Sequence, residues 1–250
     1  MPLGRSFVLL LVTLLSCKED PAEAHHRLAV DLYAKGDFAK AAAEYDEVYK
    51  LNPKLDEKIQ KKGAQAWAKA FQYDKAAAIL QRLADQKEGP ERLNAYRELA
   101  GFYMQPANEL DEAEHWYNKI LSESPQDAEA LSWLAEIAAI RGGARSSAKP
   151  ADAAMLDLAL ERYDRVIQQN PVNVAPHINK RIVLIKYLDY LEKQRVASLA
   201  DAEANKADKD VAGDFKKKAE ELKARAEAMK VTLDEVSKRI GELNKAAQKK

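Results

Sequence analysis

The chain has 250 residues, 47% of them hydrophobic, with only 9 Gly and 9 Pro; this describes a folded, mainly helical protein of one or two domains and excludes a disordered or collagen-like one. Lys plus Arg equals Asp plus Glu at 40 each, so no strong basic field argues for nucleic acid as a partner. Cys17 is the single cysteine, which excludes an intramolecular disulfide framework.

The first residues read as a targeting segment, to be set aside before the fold is considered. Arg5 precedes an apolar run from Phe7 to Leu15 that only Thr13 interrupts. The run is too short for the roughly 20 residues of a membrane span, so residues 1–16 are expected to be a cleaved signal peptide. It ends in Leu14-Leu15-Ser16-Cys17, which resembles a bacterial lipobox. That resemblance implies cleavage before Cys17, a diacylglycerol on its sulfur and further acylation such as palmitate. Two or three acyl chains suffice for stable anchoring, since each buried methylene contributes about 0.8 kcal/mol. Lys18, where the sorting pattern places an inner-membrane Asp, points to the periplasmic face of the outer membrane. Residues 17–21 form the tether: Lys18, Glu19 and Asp20 reach only ~10 Å before Pro21, a residue suited to open a helix.

From Pro21 the chain repeats itself. Leu28, Ala29 and Leu32 share a helical face, Gly36-Asp37 breaks the helix, and Ala41, Tyr45 and Val48 resume the period before Asn52-Pro53 stops it. A second copy has Ala64, Trp67, a break near Gln72, then Ala76, Leu80 and Leu83. A third has Leu99, Ala100 and Tyr103, a Gln105-Pro106-Ala107-Asn108 turn, then Ala113, Tyr117, Ile120 and Pro125. A fourth has Leu134, Ala135 and Ala138, then Ala159, Tyr163, Val166 and Pro171. Ala41 to Pro53, Ala113 to Pro125 and Ala159 to Pro171 each span 12 residues. Each copy predicts a helical hairpin.

These residues resemble the tetratricopeptide repeat. The resemblance implies an all-α, right-handed superhelix of stacked hairpins over residues 22–191: four repeats, then a fifth first helix from Pro176 to about Leu191. It departs at Phe71, where the usual small turn residue is absent, and at a loop insertion over 142–153. Repeats of this kind bury their apolar faces only by stacking, which assigns Tyr45, Tyr117 and Tyr163 to the core. The family's groove is lined by the other face of each first helix, which here carries His26, Val30 and Tyr33, then Lys61, Gln65 and Ala68, then Arg97, then Ser132 and Glu136. His26 and Val30 stand where the chaperone-binding members carry a carboxylate-clamping Lys and Asn, so that specificity is not expected. The insertion, Gly142 to Pro150, reads as a flexible cationic loop with no apolar side chain larger than Ala.

Over 192–250 the period changes. Phe215, Leu222, Met229, Val236 and Leu243 recur every seven residues, with Ala219, Ala226, Leu233, Ile240 and Ala247 between them; this predicts a long coiled-coil-like helix. Lys216, Lys218, Lys223, Arg225, Lys230 and Arg239 flank the seam, so a self-paired coiled coil would oppose like charges. The expected arrangement is a hairpin, turning near Asp210 to Gly213, against a helix carrying Leu184, Leu188, Val196 and Leu199.

No phosphate loop or nucleophile motif is present, and His25-His26 and Glu112/His115 lack the additional ligands of a metal site. The expectation is a non-catalytic scaffold without metal or cofactor beyond the acyl chains on Cys17, binding other envelope proteins through the groove, as in pilus or secretion assembly. The alternative is a structural spacer whose basic C-terminal helix reaches the cell wall or an inner-membrane complex.

Overall fold

The computed structural model describes residues 20–54, 56–105 and 107–248. Among them are ten α-helices and no strand: α1 (Pro21–Ala34), α2 (Phe38–Leu51), α3 (Glu57–Lys69), α4 (Tyr73–Asp85), α5 (Gly89–Met104), α6 (Leu110–Glu123), α7 (Ala128–Arg141), α8 (Ala153–Gln169), α9 (Val174–Ala204) and α10 (Lys209–Ala247). The fold class is the expected one, all-α repeats of helical hairpins ending in a long helical hairpin. The signal peptide and Cys17 lie outside the described residues, as does Pro106 of the third turn. The chain forms two compact units, one ending at Leu83 and the other beginning at Ala84.

The first unit is built on close approach. Asp20 caps α1 by accepting from the Ala22 N–H at 3.0 Å, and Pro21 opens the helix. Gly36 turns the chain at φ +82°, a conformation that favours glycine. Ala29, Ala41 and Ala42 are fully buried where α1 crosses α2, and Tyr45 and Val48 close the layer. Asp56 starts α3 by accepting from the Lys58 N–H at 2.7 Å. A Cβ at Gly63 would lie 3.1 Å from Tyr45 Cβ, so α2 and α3 touch almost backbone to side chain. Trp67 donates from Nε1 to Asp46 at 3.1 Å, and burial pushes the Asp46 carboxyl above its usual range.

Phe71, the departure noted at the second turn, sits at φ 59° and is 77% exposed. A bulky side chain there strains the backbone, and its ring meets little beyond the edge of Tyr73 at 6.3 Å. Phe71→Gly is expected to stabilise this unit by about 1 kcal/mol, read as a rise in the midpoint of thermal unfolding.

The second unit repeats the scheme in α5 to α8. Leu99, Ala100 and Ala113 are fully buried beside Tyr117 and Ile120, and Ala135, Leu156 and Ala159 beside Tyr163. α9 adds Val183, Tyr187 and Leu191 to this core, then continues without interruption to Ala204.

α10 returns along α9. Its seam is the expected heptad: Ala219, Ala226, Val236 and Ile240 are buried, and Phe215, Leu222, Met229, Leu233 and Leu243 are partly so, while Ala247 is exposed. Two details differ from expectation. The turn lies at residues 205–208, because the Asp208 carboxylate accepts from the N–H groups of Asp210 and Val211, both at 3.2 Å, and starts α10 ahead of Gly213. On α9, Leu184, Leu188 and Leu191 set a 3.5-residue period that continues through Ser198 and Ala202, which are buried. Val196 and Leu199 fall one position off that seam and are 53% and 41% exposed.

Burial raises the pKa of both Tyr117 and Tyr163, and the carboxylates of Glu129 and Glu136 reinforce it. A folded state that holds a tyrosine proton more tightly keeps that contribution in full below pH 10, the ordinary tyrosine value, and loses it as pH rises beyond. Stability is therefore expected to fall above about pH 10, by about 1.4 kcal/mol per pH unit for each tyrosine. Urea melts across pH 8 to 11 will show it, and Tyr117→Phe will shallow the slope.

Candidate functional site

With alanines and tyrosines consumed in packing, each unit leaves the outward face of its first helices. In the first unit, Val30 on α1 is 49% exposed, and Gln65 on α3 is also exposed. His26 and Ala68 are half-buried, the His26 ring 6.1 Å from that of Tyr45. Lys61 pairs along its own helix with Glu57 at 2.9 Å. Tyr33 is the centre of the patch. The ammonium of Lys62 lies 5.6 Å from its ring centroid and that of Lys69 5.3 Å, and Lys69 also sits 4.8 Å over Phe38. These two lysines were not among the expected contacts; the interval of four from Lys61 to Gln65 to Lys69 marks Lys69 as the next residue on that face.

In the second unit the candidates are already engaged. Arg97 on α5 pairs with Asp127, the cap of α7, and with Glu129 at 3.4 Å. Ser132 donates to the Ala128 carbonyl at 2.7 Å. Glu136 accepts from the Tyr163 hydroxyl at 2.7 Å and from Arg145 Nε at 2.6 Å, with a second Arg145 contact from Nη2.

Arg145 belongs to the insertion after α7, whose polar groups meet both neighbouring first helices. Lys186 of α9 donates to the carbonyls of Ser146 and Lys149 at 3.0 and 2.9 Å, Lys149 Nζ donates to the Ile140 carbonyl at 3.3 Å, and Arg145 also reaches Asn179 at 3.0 Å. Gly143, at φ +78°, lies where a Cβ would be 2.8 Å from the Pro150 carbonyl, so the loop closes on itself.

His25 pairs with Glu44 across the first hairpin at 2.5 Å, Glu112 is exposed, and His115 lies against the edge of Trp116. Among the described residues no group of three or more His, Cys, Asp or Glu is placed to hold a metal ion. No described helix is long and apolar enough to cross a membrane.

Residues 22–55 match the tetratricopeptide repeat. No curated protein matches the chain. Among solved structures, a MamA protein is 16% identical over 82% of this chain and 93% of its own, with a TM-score of 0.44. MamA from Desulfovibrio magneticus RS-1 is 14% identical over 83% and 97%, also at 0.44. YrrB, described as a TPR protein with an unusual peptide-binding site, is 16% identical over 80% and 86%, at 0.39.

The ion pairs predict how charge reversals behave. Arg97→Glu sets an acid beside Asp127 and Glu129, and is expected to lower stability by about 2 to 3 kcal/mol. Lys61→Glu sets an acid beside Glu57 one turn away on the same half-exposed helix face and is expected to cost about 0.5 kcal/mol. Thermal melts of the two single variants test the contrast, and equal shifts would contradict it.

Proposed function

We propose that the chain is a non-catalytic adaptor of the bacterial envelope, anchored through acyl chains on Cys17 at the periplasmic face of the outer membrane. Its repeats recruit other envelope proteins through the first-helix faces, in the service of an assembly such as a pilus or secretion machine. The supporting observation is the exposure of Val30 and Gln65 beside Tyr33 in a unit whose hairpin core is complete without them. Exposed apolar and amide groups flanked by cations accept an extended segment or an amphipathic helix.

Photo-crosslinkable residues at Val30 and Gln65, irradiated in cells, are expected to give discrete adducts. The same residue at Val172, which is 68% exposed in the other unit, should not give them. Absence of adducts at both first-helix positions would overturn the adaptor reading. Cys17→Ser should release the protein from the membrane fraction, and continued sedimentation with membranes would overturn the anchor.

The spacer reading draws on one observation, the exposed Val196 and Leu199 on the part of α9 that pairs with α10 alone after Leu191. Removing α10 does not separate the readings, since Val236 and Ile240 cover Leu184 and the core would open. Shortening the arm by one heptad on each helix, residues 196–202 and 212–218, keeps the seam in register. An adaptor keeps its cross-links after that change; a spacer loses its role.

A further inference from the structure

The insertion between α7 and α8 makes its contacts with the first helices as a bound peptide would. Arg145 addresses Glu136 through two guanidinium nitrogens, Nε at 2.6 Å and Nη2, and Nη2 reaches Asn179 Oδ1 at 3.0 Å. The receiving carboxylate is built for this. Glu136 is held from beneath by the Tyr163 hydroxyl at 2.7 Å, and Tyr163 is 1% exposed, so the acceptor is oriented before any guanidinium arrives. The loop backbone is read as well, because Lys186 Nζ takes the carbonyls of Ser146 and Lys149.

What the loop lacks is equally informative. Between Gly143 and Lys149 no apolar side chain exceeds Ala, and the named ties to α7 and α9 are polar groups that exchange readily for water. Beside the loop, a cleft of about 590 Å³ is lined by loop residues 144–147 and by Ile182, Ile185, Lys186, Asp189 and Lys193 of α9, and Ile185 is 52% exposed. The loop therefore engages Glu136 and Asn179 and leaves the side chain of Ile185, next to Ile182, open among charged groups.

We propose that Glu136, Tyr163 and Asn179 form an arginine-reading site that the chain's own loop keeps closed. The ligand is an extended partner segment that carries an arginine among small residues, with an apolar side chain to place against Ile182 and Ile185. It displaces Arg145 and takes over its bidentate pairing. Arg145, tethered nine residues from Glu136, competes at high effective concentration, so the closed loop sets the affinity threshold for that ligand. This assignment rests on the adaptor reading of the first-helix faces and names one ligand chemistry for the second unit.

The probe is a fluorescein-labelled peptide with the loop's own sequence, residues 142–151, titrated by anisotropy into the full chain. Arg145→Ala is expected to bind it at least tenfold more tightly than the unaltered chain. Arg145→Ala with Glu136→Gln, whose amide oxygen still accepts from Tyr163, is expected to lose at least tenfold of that affinity. A probe with Lys in place of its Arg should bind the Arg145→Ala chain at least fivefold more weakly, since an ammonium cannot pair bidentately. Circular dichroism melts confirm that each variant is folded. Equal binding by the unaltered and Arg145→Ala chains, no measurable binding to the Arg145→Ala chain, or indifference to Glu136→Gln would each overturn the site and reduce the Arg145 contact to a local tie of the loop. The outcome separates from the adaptor reading because Val30 and Gln65 lie in the other unit. Adducts there with no peptide binding remove the arginine site alone, and peptide binding without adducts removes the adaptor.

Discussion

Small residues at the crossing of each hairpin are the constraint on which the rest depends. Ala29 and Ala41, Ala100 and Ala113, and Ala135 and Ala159 are all fully buried between the two helices of their hairpins, so a larger side chain at any of them would overpack the core. A buried tyrosine, Tyr45, Tyr117 or Tyr163, fills the space alongside. Gly63 extends the rule to the contact between successive hairpins, where even a Cβ crowds Tyr45. Cores built this way use one stripe of each helix and leave the opposite stripe of the first helices for solvent or a ligand.

That leftover stripe is treated differently in the two units. On α1 and α3 it stays open: Val30 and Gln65 are exposed, and two lysines gather over Tyr33. On α7 and α9 it is answered from within, with Arg97 pairing to the cap of the next first helix and Arg145 returning to Glu136. For Arg145 the difference follows from chain length between helices. A three-residue turn such as Lys35 to Asp37 cannot reach back to the first-helix face, whereas the insertion after α7 can.

The α9–α10 hairpin continues the same logic at the end of the chain. Where it lies against α8, large residues such as Leu184, Val236 and Ile240 fill a three-helix core, and Arg225 ties Asp157 and Tyr187. Beyond Leu191 only two helices remain. The buried residues of their seam are small, Ser198, Ala202, Ala212 and Ala219, with Phe215 only partly buried among them, because two helices without a third can bury little unless they approach closely.

The sequence by itself determined the hairpins, their crossings and the C-terminal heptad. Those features are local periodicities of 3.6 or 3.5 residues punctuated by Gly, Pro and Asp, and periodicity survives without coordinates. It also marked the first-helix faces on which Val30, Tyr33, Arg97 and Glu136 stand. It did not show that Val196 and Leu199 miss the seam, since a seam is defined by its partner as well as by its own period. Nor did it show that Lys69 reaches Tyr33, that Arg97 is committed to Asp127, or that Arg145 closes on Glu136. Each of these joins separate elements, and a pairing of charges between elements leaves no periodic trace in the chain. Only the tertiary structure could decide which of the exposed groups are open to a partner and which the protein has already answered itself.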